Sequence, residues 1–250
     1  MIKVLINGCN GKMGQEVIKV INNNEKFAVL NGVDKEENPD YIFPVYTNAE
    51  DIKEKPDVIV DFSIPVATMQ ILEYAKNNKI PIVIATTGLT EEQKQKIKEY
   101  SRAIPIFQSA NMSYDIKLMK RIVAEVAKNL CGTDIEIIET HHNRKIDAPS
   151  GTALLLADSI NEALGNSMEY NFNRFQNREK RKKNEIGFSS IRGGNIVGEH
   201  TVCFFGENDC LEITHKAYSR GLFAEGALKG AEYIVNKENG YYTMDEIIWN

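Results

Sequence analysis

An alternation of short apolar runs with longer amphipathic segments, continuing through residues 1–110, is the feature that most limits the possible folds. The expected strands lie at 3–7, 28–33, 57–62, 82–86 and 104–107, and the expected helices at 13–21, 66–77 and 91–101. Apolar strands that alternate with helices indicate a parallel sheet covered on both faces. Right-handed crossovers between such strands then favour a doubly wound α/β domain.

The pattern changes after residue 112. Two helices are predicted at 114–130 and 152–164, with a strand at 134–140 between them. Three strand-like runs then follow one another at 186–191, 196–205 and 211–217, separated by turn-forming residues. Strands in succession without intervening helices indicate a smaller α+β domain with an open mixed sheet.

A glycine-rich loop joins the first expected strand to the first expected helix. It reads Gly8-Cys9-Asn10-Gly11-Lys12-Met13-Gly14. In this position glycines let the backbone approach a pyrophosphate, and the helix N-terminus supplies partial positive charge. The spacing is offset from the common G-x-G-x-x-G, but the strand before it and the helix after it predict a Rossmann-like dinucleotide site.

An acidic residue is expected at the end of the second strand, where it would bind the adenosine ribose of a dinucleotide. Asp34 lies there, 20 residues after Gly14. Asp34 favours the free 2′-hydroxyl of NADH, whereas the cations Lys12 and Lys35 suit the 2′-phosphate of NADPH. The sequence therefore leaves NADH and NADPH both open as cofactors.

The segment 139–153 carries most of the groups suited to chemistry. His141 and Lys145 are able to donate a proton, which a reductase needs when a hydride reaches the neighbouring carbon. The residues around Ser150 are typical of a helix entry, and the N–H groups of a helix N-terminus bind a carboxylate well. The candidate substrate-binding residues are His142, Lys145, Ser150, Gly151 and Thr152.

Composition argues against several classes of function. A formal net charge of −5 and a pI near 5.5 are unfavourable for nucleic-acid binding. No apolar stretch approaches the ~18 residues of a membrane span, and the first residues do not resemble a signal peptide, so we expect a cytoplasmic protein without a membrane partner. The scattered Cys9, Cys131, Cys203 and Cys210 predict reduced thiols and no metal site. The charged run at 178–183 is interpreted as a solvated loop.

Residues 139–153 match the pattern E-x-H-H-x-x-K-x-D-A-P-S-G-T-A throughout. With the rest of the chain, this segment closely resembles the 4-hydroxy-tetrahydrodipicolinate reductases, formerly called dihydrodipicolinate reductases, of the diaminopimelate–lysine pathway. The resemblance also covers the glycine loop, 85–88, 109–113, Arg192 with 197–201, and 211–216, and so spans nearly the whole chain.

The resemblance implies an enzyme that reduces 4-hydroxy-tetrahydrodipicolinate, via dihydrodipicolinate, to tetrahydrodipicolinate with NADH or NADPH. It implies a dinucleotide-binding domain at 1–112 plus 222–250 and a substrate-binding and oligomerisation domain at 113–221. A helix at 222–235 is expected to pack on the first domain. The family works as a homotetramer assembled through the sheets of the second domains.

The resemblance also implies roles for individual residues. His141 and Lys145 match the proton donors, and His142, Lys145 and Ser150 to Thr152 match the substrate-carboxylate site. The implied cofactor-binding residues are Gly8, Cys9, Asn10, Gly11, Lys12, Met13, Asp34, Lys35, Ala85, Thr86, Thr87, Ser109, Ala110, Asn111 and Met112.

Two departures from the family pattern bear on these expectations. Ala85 stands where the family usually has glycine, so its methyl group is expected to affect cofactor affinity. Asp115-Ile116-Lys117 stands where Gly-Val-Asn is usual, which affects the local loop geometry. The alternative functions are a related two-domain amino-acid dehydrogenase, such as aspartate dehydrogenase, and a non-enzymatic dinucleotide-sensing regulator. His200 and His215 lie within expected strands and are interpreted as structural or interface residues.

Overall fold

The computed structural model describes residues 1–109, 111–177 and 179–248. The chain divides into two compact units. Unit 1 consists of Met1–Tyr114 and Arg220–Asn250, and unit 2 consists of Asp115–Ser219. Within the described ranges, no helix has both the length and the apolar character needed to cross a membrane.

The strands are β1 (Ile2–Asn7), β2 (Phe27–Val33), β3 (Val45–Tyr46), β4 (Val58–Asp61), β5 (Ile82–Ile84), β6 (Pro105–Gln108), β7 (Asp134–His141), β8 (Glu169–Asn171), β9 (Glu185–Arg192), β10 (Gly198–Phe205), β11 (Cys210–Ala217) and β12 (Gly240–Tyr242). The helices are α1 (Lys12–Asn22), α2 (Pro65–Asn78), α3 (Glu91–Tyr100), α4 (Tyr114–Asn129), α5 (Gly151–Ala163), α6 (Arg174–Asn177), α7 (Gly221–Ile234) and α8 (Met244–Ile248).

The seven-stranded sheet of unit 1 has the order β12-β6-β5-β4-β1-β2-β3, and all neighbouring strands are parallel. The predicted Rossmann-like, doubly wound sheet is therefore confirmed. The strand order reverses direction at β1 and β4. Domains of this kind bind ligands beyond the carboxyl ends of the strands at such a switch point.

Both faces of this sheet are buried, as its apolar strands predict. In β1, Val4 and Ile6 belong to a core with residues of α1 and α7, whereas Leu5 belongs to a second core with residues of α2 and α3. Alternate side chains of a strand lie on opposite faces, so one strand contributes to both cores. The helix expected at 222–235 is α7, and it packs against α1, β4, β5 and β6.

The five-stranded sheet of unit 2 has the order β11-β10-β7-β9-β8. β10 runs antiparallel to β7 and β11, while β9 runs parallel to β7 and β8. The predicted mixed sheet is therefore confirmed. Its core combines apolar residues of β7, β9 and β10 with residues of α4 and α5, for example Val123 and Leu156.

Strand β7 leads from this core to the candidate site. Its buried residues alternate along the strand and are Ile135, Ile137, Glu139 and His141. Because alternate residues of a strand share a face, Glu139 and His141 lie on the same side as the two isoleucines of the core. The buried face of β7 thus changes from apolar to ionisable near the end of the strand.

The sequence-based boundaries fail where elements are short or where loop contacts end a strand. β3, β8, α6, β12 and α8 were not predicted, since segments this short carry no clear periodicity. The strand expected at 196–205 begins only at Gly198. The carbonyl of Ile196 accepts a hydrogen bond from the backbone N–H of His142 (2.8 Å), outside the ladder between β7 and β10.

The interpretation of 178–183 as a solvated loop is wrong for Arg181. Its side chain is only 17% exposed and pairs with Asp134 (3.1 Å) and Glu185 (3.1 Å). It also donates to the backbone carbonyl of Ile135 (3.0 Å), so this cation attaches the segment to the sheet. Lys182 and Lys183 are exposed, and Arg178 lies outside the described residues.

Candidate active site

The candidate cofactor residues of unit 1 lie along one edge of the seven-stranded sheet. β1, β4, β5 and β6 are adjacent parallel strands, so the loops that follow them all leave the sheet at its carboxyl edge. These loops are the glycine loop at 8–14, the segment 62–64, the segment 85–88 and the segment 109–113. The topology therefore brings the predicted cofactor-binding segments to a common edge.

The glycine loop depends on its first and last glycines. Gly8 has φ +83°, a left-handed conformation that favours glycine. A Cβ on Gly14 would overlap the carbonyl oxygen of Gly8 and the backbone of Cys9, because α1 begins in close contact with the loop. The N–H of Gly11 donates to the carbonyl of Gly8 (3.1 Å), which closes the turn before α1.

Asp34 follows β2 and is bound to the glycine loop. Its carboxylate accepts hydrogen bonds from the backbone N–H of Asn10 (2.8 Å) and from that of Lys35 (2.8 Å). The side chain of Asn10 donates in turn to the carbonyl of Glu36 (3.0 Å). Because a carboxylate has about four acceptor positions, Asp34 can hold the loop and still accept a bond from a ligand hydroxyl.

A cleft of about 690 Å³ opens beside the glycine loop. It is lined by Gly8 and Gly11 of the loop, by Asp34 and Lys35, by residues 47–50 and 62–64, and by α2 residues between 67 and 74. Its volume falls within the range of about 300–1,000 Å³ that is usual for small-molecule sites. The cleft, the closely packed glycine turn and the acidic residue at the end of β2 together fit a nicotinamide dinucleotide.

The remaining predicted cofactor residues of the glycine loop differ in how far their side chains are buried. The Cys9 side chain is fully buried against Gly32 and Phe43, so only its backbone can contact a ligand. Burial raises the pKa of the Cys9 thiol to about 12, which keeps it neutral. Lys12 is exposed at the start of α1, and Met13 is half-buried against the core.

Asp61 is a fully buried carboxylate at the end of β4 that the sequence analysis missed. It accepts hydrogen bonds from Nδ2 of Asn7 (2.7 Å) and from the hydroxyls of Thr68 (2.6 Å) and Thr86 (2.9 Å). Ser63 donates both its hydroxyl (2.5 Å) and its backbone N–H (3.2 Å). Burial raises the pKa of Asp61, and these hydrogen bonds oppose the rise. Asp61 therefore connects the ends of β1, β4 and β5.

In the segment 85–88, the three predicted cofactor residues differ in exposure. Ala85 belongs to the hydrophobic core, so the methyl group that departs from the family pattern packs inside the protein. Thr86 is buried by its bond to Asp61, and Thr87 is exposed. Thr87 is thus the side chain of this segment that is most accessible to a ligand.

Hydrogen bonds join Ser109, Asn111 and Ser113 after β6. The hydroxyl of Ser109 donates to the carbonyl of Asn111 (2.6 Å), and the Asn111 Oδ1 accepts from the N–H of Ser113 (2.9 Å). Met112 is buried in the core of unit 1. Ala110, also predicted as a cofactor residue, lies outside the described residues.

In unit 2, Glu139 organises the candidate site from a buried position near the end of β7. Arg192 of β9 binds both carboxylate oxygens, with Nη1–Oε2 at 2.8 Å and Nη2–Oε1 at 2.6 Å. The N–H of Ser150 donates to Oε1 (3.2 Å), and Nδ1 of His141 lies 2.5 Å from Oε2. Burial alone raises the pKa of Glu139, but the hydrogen bonds from Arg192 and the other donors outweigh it and lower the pKa to about 2.

His141 is largely buried between strands. Burial lowers the pKa of His141, Glu139 opposes this effect, and the positive charges of Lys145 and Arg192 add to it. A Cβ at Gly198 would lie 3.0 Å from Nε2, so the glycine keeps that nitrogen clear of a side chain. His141 is therefore held through Nδ1, with Nε2 on the side opposite its carboxylate partner.

Ser150 links this cluster to the start of α5. Its hydroxyl oxygen accepts a hydrogen bond from the N–H of Ala153 (3.2 Å) and lies 2.9 Å from Nε2 of His200. Burial lowers the pKa of His200 to about 3, so this imidazole is neutral near pH 7. A buried neutral histidine with this contact agrees with the interpretation of His200 as a structural residue.

Lys145 and His142 lie in the loop that follows β7. Nζ of Lys145 pairs with Oδ1 of Asp147 (2.8 Å), and its side chain is 21% exposed. The carbonyl of Asp147 accepts a bond from Arg192 (2.7 Å), which connects this loop to the Glu139 cluster. Within the described part of the chain, the buried Nδ1 of His142 has no hydrogen-bond partner, so a ligand oxygen or hydroxyl would satisfy it.

Helix α5 begins at Gly151, directly after this cluster. A Cβ added to Gly151 would meet nothing within 4 Å, so there is open space beside the first turn. The first N–H groups of a helix carry partial positive charge and attract carboxylates. The structure thus brings the predicted residues His141, Lys145 and Ser150 into one hydrogen-bonded system next to a helix N-terminus.

Another cluster was not expected from sequence spacing. Cys203, Cys210 and Glu212 place their sulfur and carboxylate atoms within 4.8 Å of one another on the β10–β11 hairpin. The register explains this, because Cys203 lies opposite Glu212 and Cys210 lies opposite Phe205 two residues further along. None of the three belongs to the predicted site residues.

Two family models match the chain almost from end to end. The model described as "Dihydrodipicolinate reductase, N-terminus" matches residues 2–112, and the model described as "Dihydrodipicolinate reductase, C-terminus" matches residues 115–248. The chain belongs to the dihydrodipicolinate reductase family. The glycine loop lies in the first match and the segment 139–153 in the second, so the candidate residues of unit 1 and those of unit 2 both fall within the matched ranges.

Individual relatives agree with this family membership. The 4-hydroxy-tetrahydrodipicolinate reductase of Caldanaerobacter subterraneus subsp. tengcongensis is 49% identical over 248 residues, covering 99% of this chain and 98% of the relative. That of Clostridium novyi is 46% identical over 249 residues, with 99% and 98% covered. A solved dihydrodipicolinate reductase from Paenisporosarcina sp. TG-14, described as dipicolinate bound, has a TM-score of 0.79 and 27% identity and covers 97% of each chain.

Proposed function

We propose that this chain is an enzyme that uses NADH or NADPH to reduce 4-hydroxy-tetrahydrodipicolinate, via dihydrodipicolinate, to tetrahydrodipicolinate in diaminopimelate and lysine biosynthesis. The observation that carries the proposal is the cluster in which Glu139 joins His141, Arg192 and Ser150 beside the start of α5. That cluster combines an imidazole for proton transfer with a carboxylate-binding helix end. The names of the full-length relatives support the same reaction.

The cofactor is proposed to bind in unit 1. The glycine loop would receive the pyrophosphate, Asp34 and Lys35 the adenosine ribose, and the segments 85–87 and 109–112 the nicotinamide. When bound, the reduced nicotinamide supplies a hydride. Asp61 supports this site by fixing Asn7 and Thr86 at the strand ends.

The substrate is proposed to bind in unit 2 through its two carboxylates. The N–H groups at Gly151 and Thr152 would bind one carboxylate, with Ser150 in place as the helix cap. Lys145 and His142 would bind the other, and the substrate would compete with Asp147 for the Lys145 ammonium. A dianionic ligand suits this half-site because it presents a helix N-terminus and a cation.

Proton delivery is proposed to come from His141 or Lys145. Addition of a hydride to one carbon of an unsaturated imine leaves negative charge on its neighbour, which must be protonated. His141 offers Nε2 and Lys145 offers Nζ for this step. Both groups connect to Glu139, His141 directly and Lys145 through Asp147 and Arg192.

The oligomer is proposed to be a homotetramer formed through the unit 2 sheets. Ile191 on β9 and Phe205 on β10 are 51% and 41% exposed, which is a large exposure for apolar strand residues. Both lie on the face of the sheet opposite the core residues Ile186 and Phe204. Sedimentation should give about four times 28.2 kDa, and Ile191→Glu with Phe205→Glu should lower that mass.

Turnover tests the proposed reaction directly. The purified protein should oxidise NADH or NADPH when given the freshly generated product of the preceding aldol-condensing enzyme. Lys145→Ala should lower kcat/KM by on the order of 10²–10⁴ from lost acid catalysis, whereas Lys183→Ala, which removes an exposed lysine of the same unit, should not. Absence of turnover with both nucleotides would overturn the function, and full activity in Lys145→Ala would remove Lys145 from the reaction.

A further inference from the structure

Glu139 is the most deeply buried ionisable group of the unit 2 cluster, and no proposed step of the reaction uses it. Its side chain is 1% exposed. Oε1 accepts from Ser150 N and Arg192 Nη2, and Oε2 meets Arg192 Nη1 and His141 Nδ1. The side chain of Ser190 is a further hydrogen-bond donor to this carboxylate. All its acceptor positions face groups of the protein, so Glu139 has no position left for a substrate.

The partners of Glu139 determine where the His141 proton lies. The guanidinium of Arg192 can donate hydrogen bonds but cannot accept them. It keeps the carboxylate ionised, and an ionised carboxylate only accepts hydrogen bonds. At 2.5 Å, His141 must therefore place a hydrogen on Nδ1. In a neutral imidazole, this leaves Nε2 without a hydrogen.

The surroundings of His141 favour the same assignment. Among the described residues whose charges shift the pKa of His141, Glu139 is the anion, and Lys145 and Arg192 are cations. His200 packs edge-on against the ring, with centroids 5.1 Å apart. Nε2 faces Gly198, which carries no side chain. The carboxylate that bonds to this ring therefore lies on its Nδ1 side, and Nε2 lies beside the backbone of a glycine.

We propose that Glu139 is a positioning residue that holds His141 in the tautomer with hydrogen on Nδ1, so that Nε2 is the nitrogen that exchanges a proton with the substrate. The role in the reaction rests on the proposed function. When His141 gives up a proton, the Nε2–H bond breaks, the proton passes to the substrate carbon, and the Nδ1–H bond to Glu139 remains. Arg192 acts one step further away, by keeping Glu139 ionised.

Glu139→Gln tests this role because an amide is not a symmetric acceptor. Arg192 donates to both oxygens and does not distinguish them. On the Oε1 side the backbone N–H of Ser150 can only donate, whereas His141 on the Oε2 side can change its tautomer, so the amide oxygen is expected on the Oε1 side. The amide NH₂ is then left on the Oε2 side, where it faces Nδ1 of His141 as a donor. His141 can accept only by releasing the Nδ1 hydrogen, which moves to Nε2. The substitution is therefore expected to reverse the tautomer.

The experiment measures histidine tautomers by NMR in protein with ¹⁵N-labelled histidine, without nucleotide or substrate, using His141→Asn to assign the signal. We expect hydrogen on Nδ1 in the wild type and on Nε2 in Glu139→Gln. Arg192→Lys is the matched variant, since it weakens the same cluster but leaves the Glu139 carboxylate beside His141. It is expected to keep the wild-type tautomer.

Kinetics then connect the tautomer to the reaction. Glu139→Gln should lower kcat by about 10–100-fold, with a smaller change in KM. A loss of this size is typical when the residue that orients a functional histidine through a hydrogen bond is altered. The limb of the pH–rate profile assigned to His141 should move to lower pH, because loss of the carboxylate removes the influence that raises the pKa of His141. Arg192→Lys should leave the position of that limb unchanged.

Several results would overturn the inference. These are hydrogen on Nε2 in the wild type, an unchanged tautomer in Glu139→Gln, or an equal shift of the pH limb in Arg192→Lys. If Glu139→Gln does not fold, the His141 tautomer measured by NMR in the wild type and in Arg192→Lys still tests the inference. A wild type with hydrogen on Nδ1 but no turnover would contradict the proposed function and leave the assignment of the tautomer standing.

Discussion

The hydroxyl of Thr86 donates a 2.9 Å hydrogen bond to the carboxylate of Asp61, and this bond ties the end of β5 to the end of β4. Both side chains are buried, so neither can exchange its partner for water. The bond fixes the segment at which the nicotinamide is proposed to bind. Of the two neighbouring threonines, Thr86 is thus buried and Thr87 is exposed.

Thr86→Val should lower the free energy of unfolding by about 1.5–3 kcal/mol, because it removes a hydrogen bond to a buried charged group. It should also weaken nucleotide binding by releasing the segment. Urea unfolding and nucleotide fluorescence titration measure the two effects. Thr87→Val is the control for stability, and an equal loss in that variant would show that the bond to Asp61 is not the cause.

Gly14→Ala should abolish tight nucleotide binding. The added Cβ would overlap the backbone of Gly8 and Cys9, so α1 or the glycine loop must shift. Overpacking of this kind costs about 1–3 kcal/mol in stability. Gly193→Ala is the matched control, because a Cβ there meets nothing within 4 Å. Normal nucleotide affinity in Gly14→Ala would contradict a binding role for the loop.

Lys35→Ala should weaken NADPH binding more than NADH binding. Lys35 is exposed next to Asp34 and lines the cleft, so its charge is available to a 2′-phosphate. Loss of one exposed charge is expected to change the ratio of the two dissociation constants by up to about tenfold. Lys19→Ala removes an exposed lysine outside the cleft lining and serves as control. An unchanged ratio would exclude Lys35 from nucleotide selection.

Stability should fall in acid because of Glu139. Its pKa is about 2 in the folded protein against an ordinary value of 4.5, so the fold stabilises the ionised form. The contribution, on the order of 3 kcal/mol, is complete above the ordinary pKa and is lost as the pH falls from about 4.5 to about 2. The difference in unfolding free energy between wild type and Glu139→Gln should therefore shrink between pH 7 and pH 3. Glu207→Gln, an exposed control, should show no such trend.

Pyridine-2,6-dicarboxylate should raise the melting temperature only when NADH or NADPH is also present. The planar dicarboxylate matches the two carboxylates of the proposed substrate, and at one hundred times its Kd a ligand stabilises a protein by about 2.7 kcal/mol. Pyridine-2-carboxylate, with one carboxylate, should protect less. Equal protection by the two compounds would argue against a site that binds both carboxylates.

The sequence determined the class of the fold because both of its signals are local. Apolar runs that alternate with helical segments indicate a sheet covered on both faces. A glycine-rich loop directly between a strand and a helix indicates a dinucleotide-binding turn. The segment 139–153 likewise identified His141, Lys145 and Ser150 as neighbours, since they are close along the chain. Short elements such as β3 and β12 have too few residues to show a hydrophobic periodicity.

Only the tertiary structure decided which distant residues complete these local groups. Asp61 was missed in the apolar run 57–62, because its four side-chain partners come from β1, α2 and two loops. Arg192 lies 53 positions from Glu139 along the chain. The register of β7 and β9 pairs Arg192 with His141 and Ser190 with Glu139, which brings the Arg192 side chain diagonally within reach of Glu139. Pairing between strands depends on contacts across the whole sheet, so no pattern within one segment specifies it. For the same reason, the sequence marked His141 as a proton donor, while the fold determined the carboxylate that holds it.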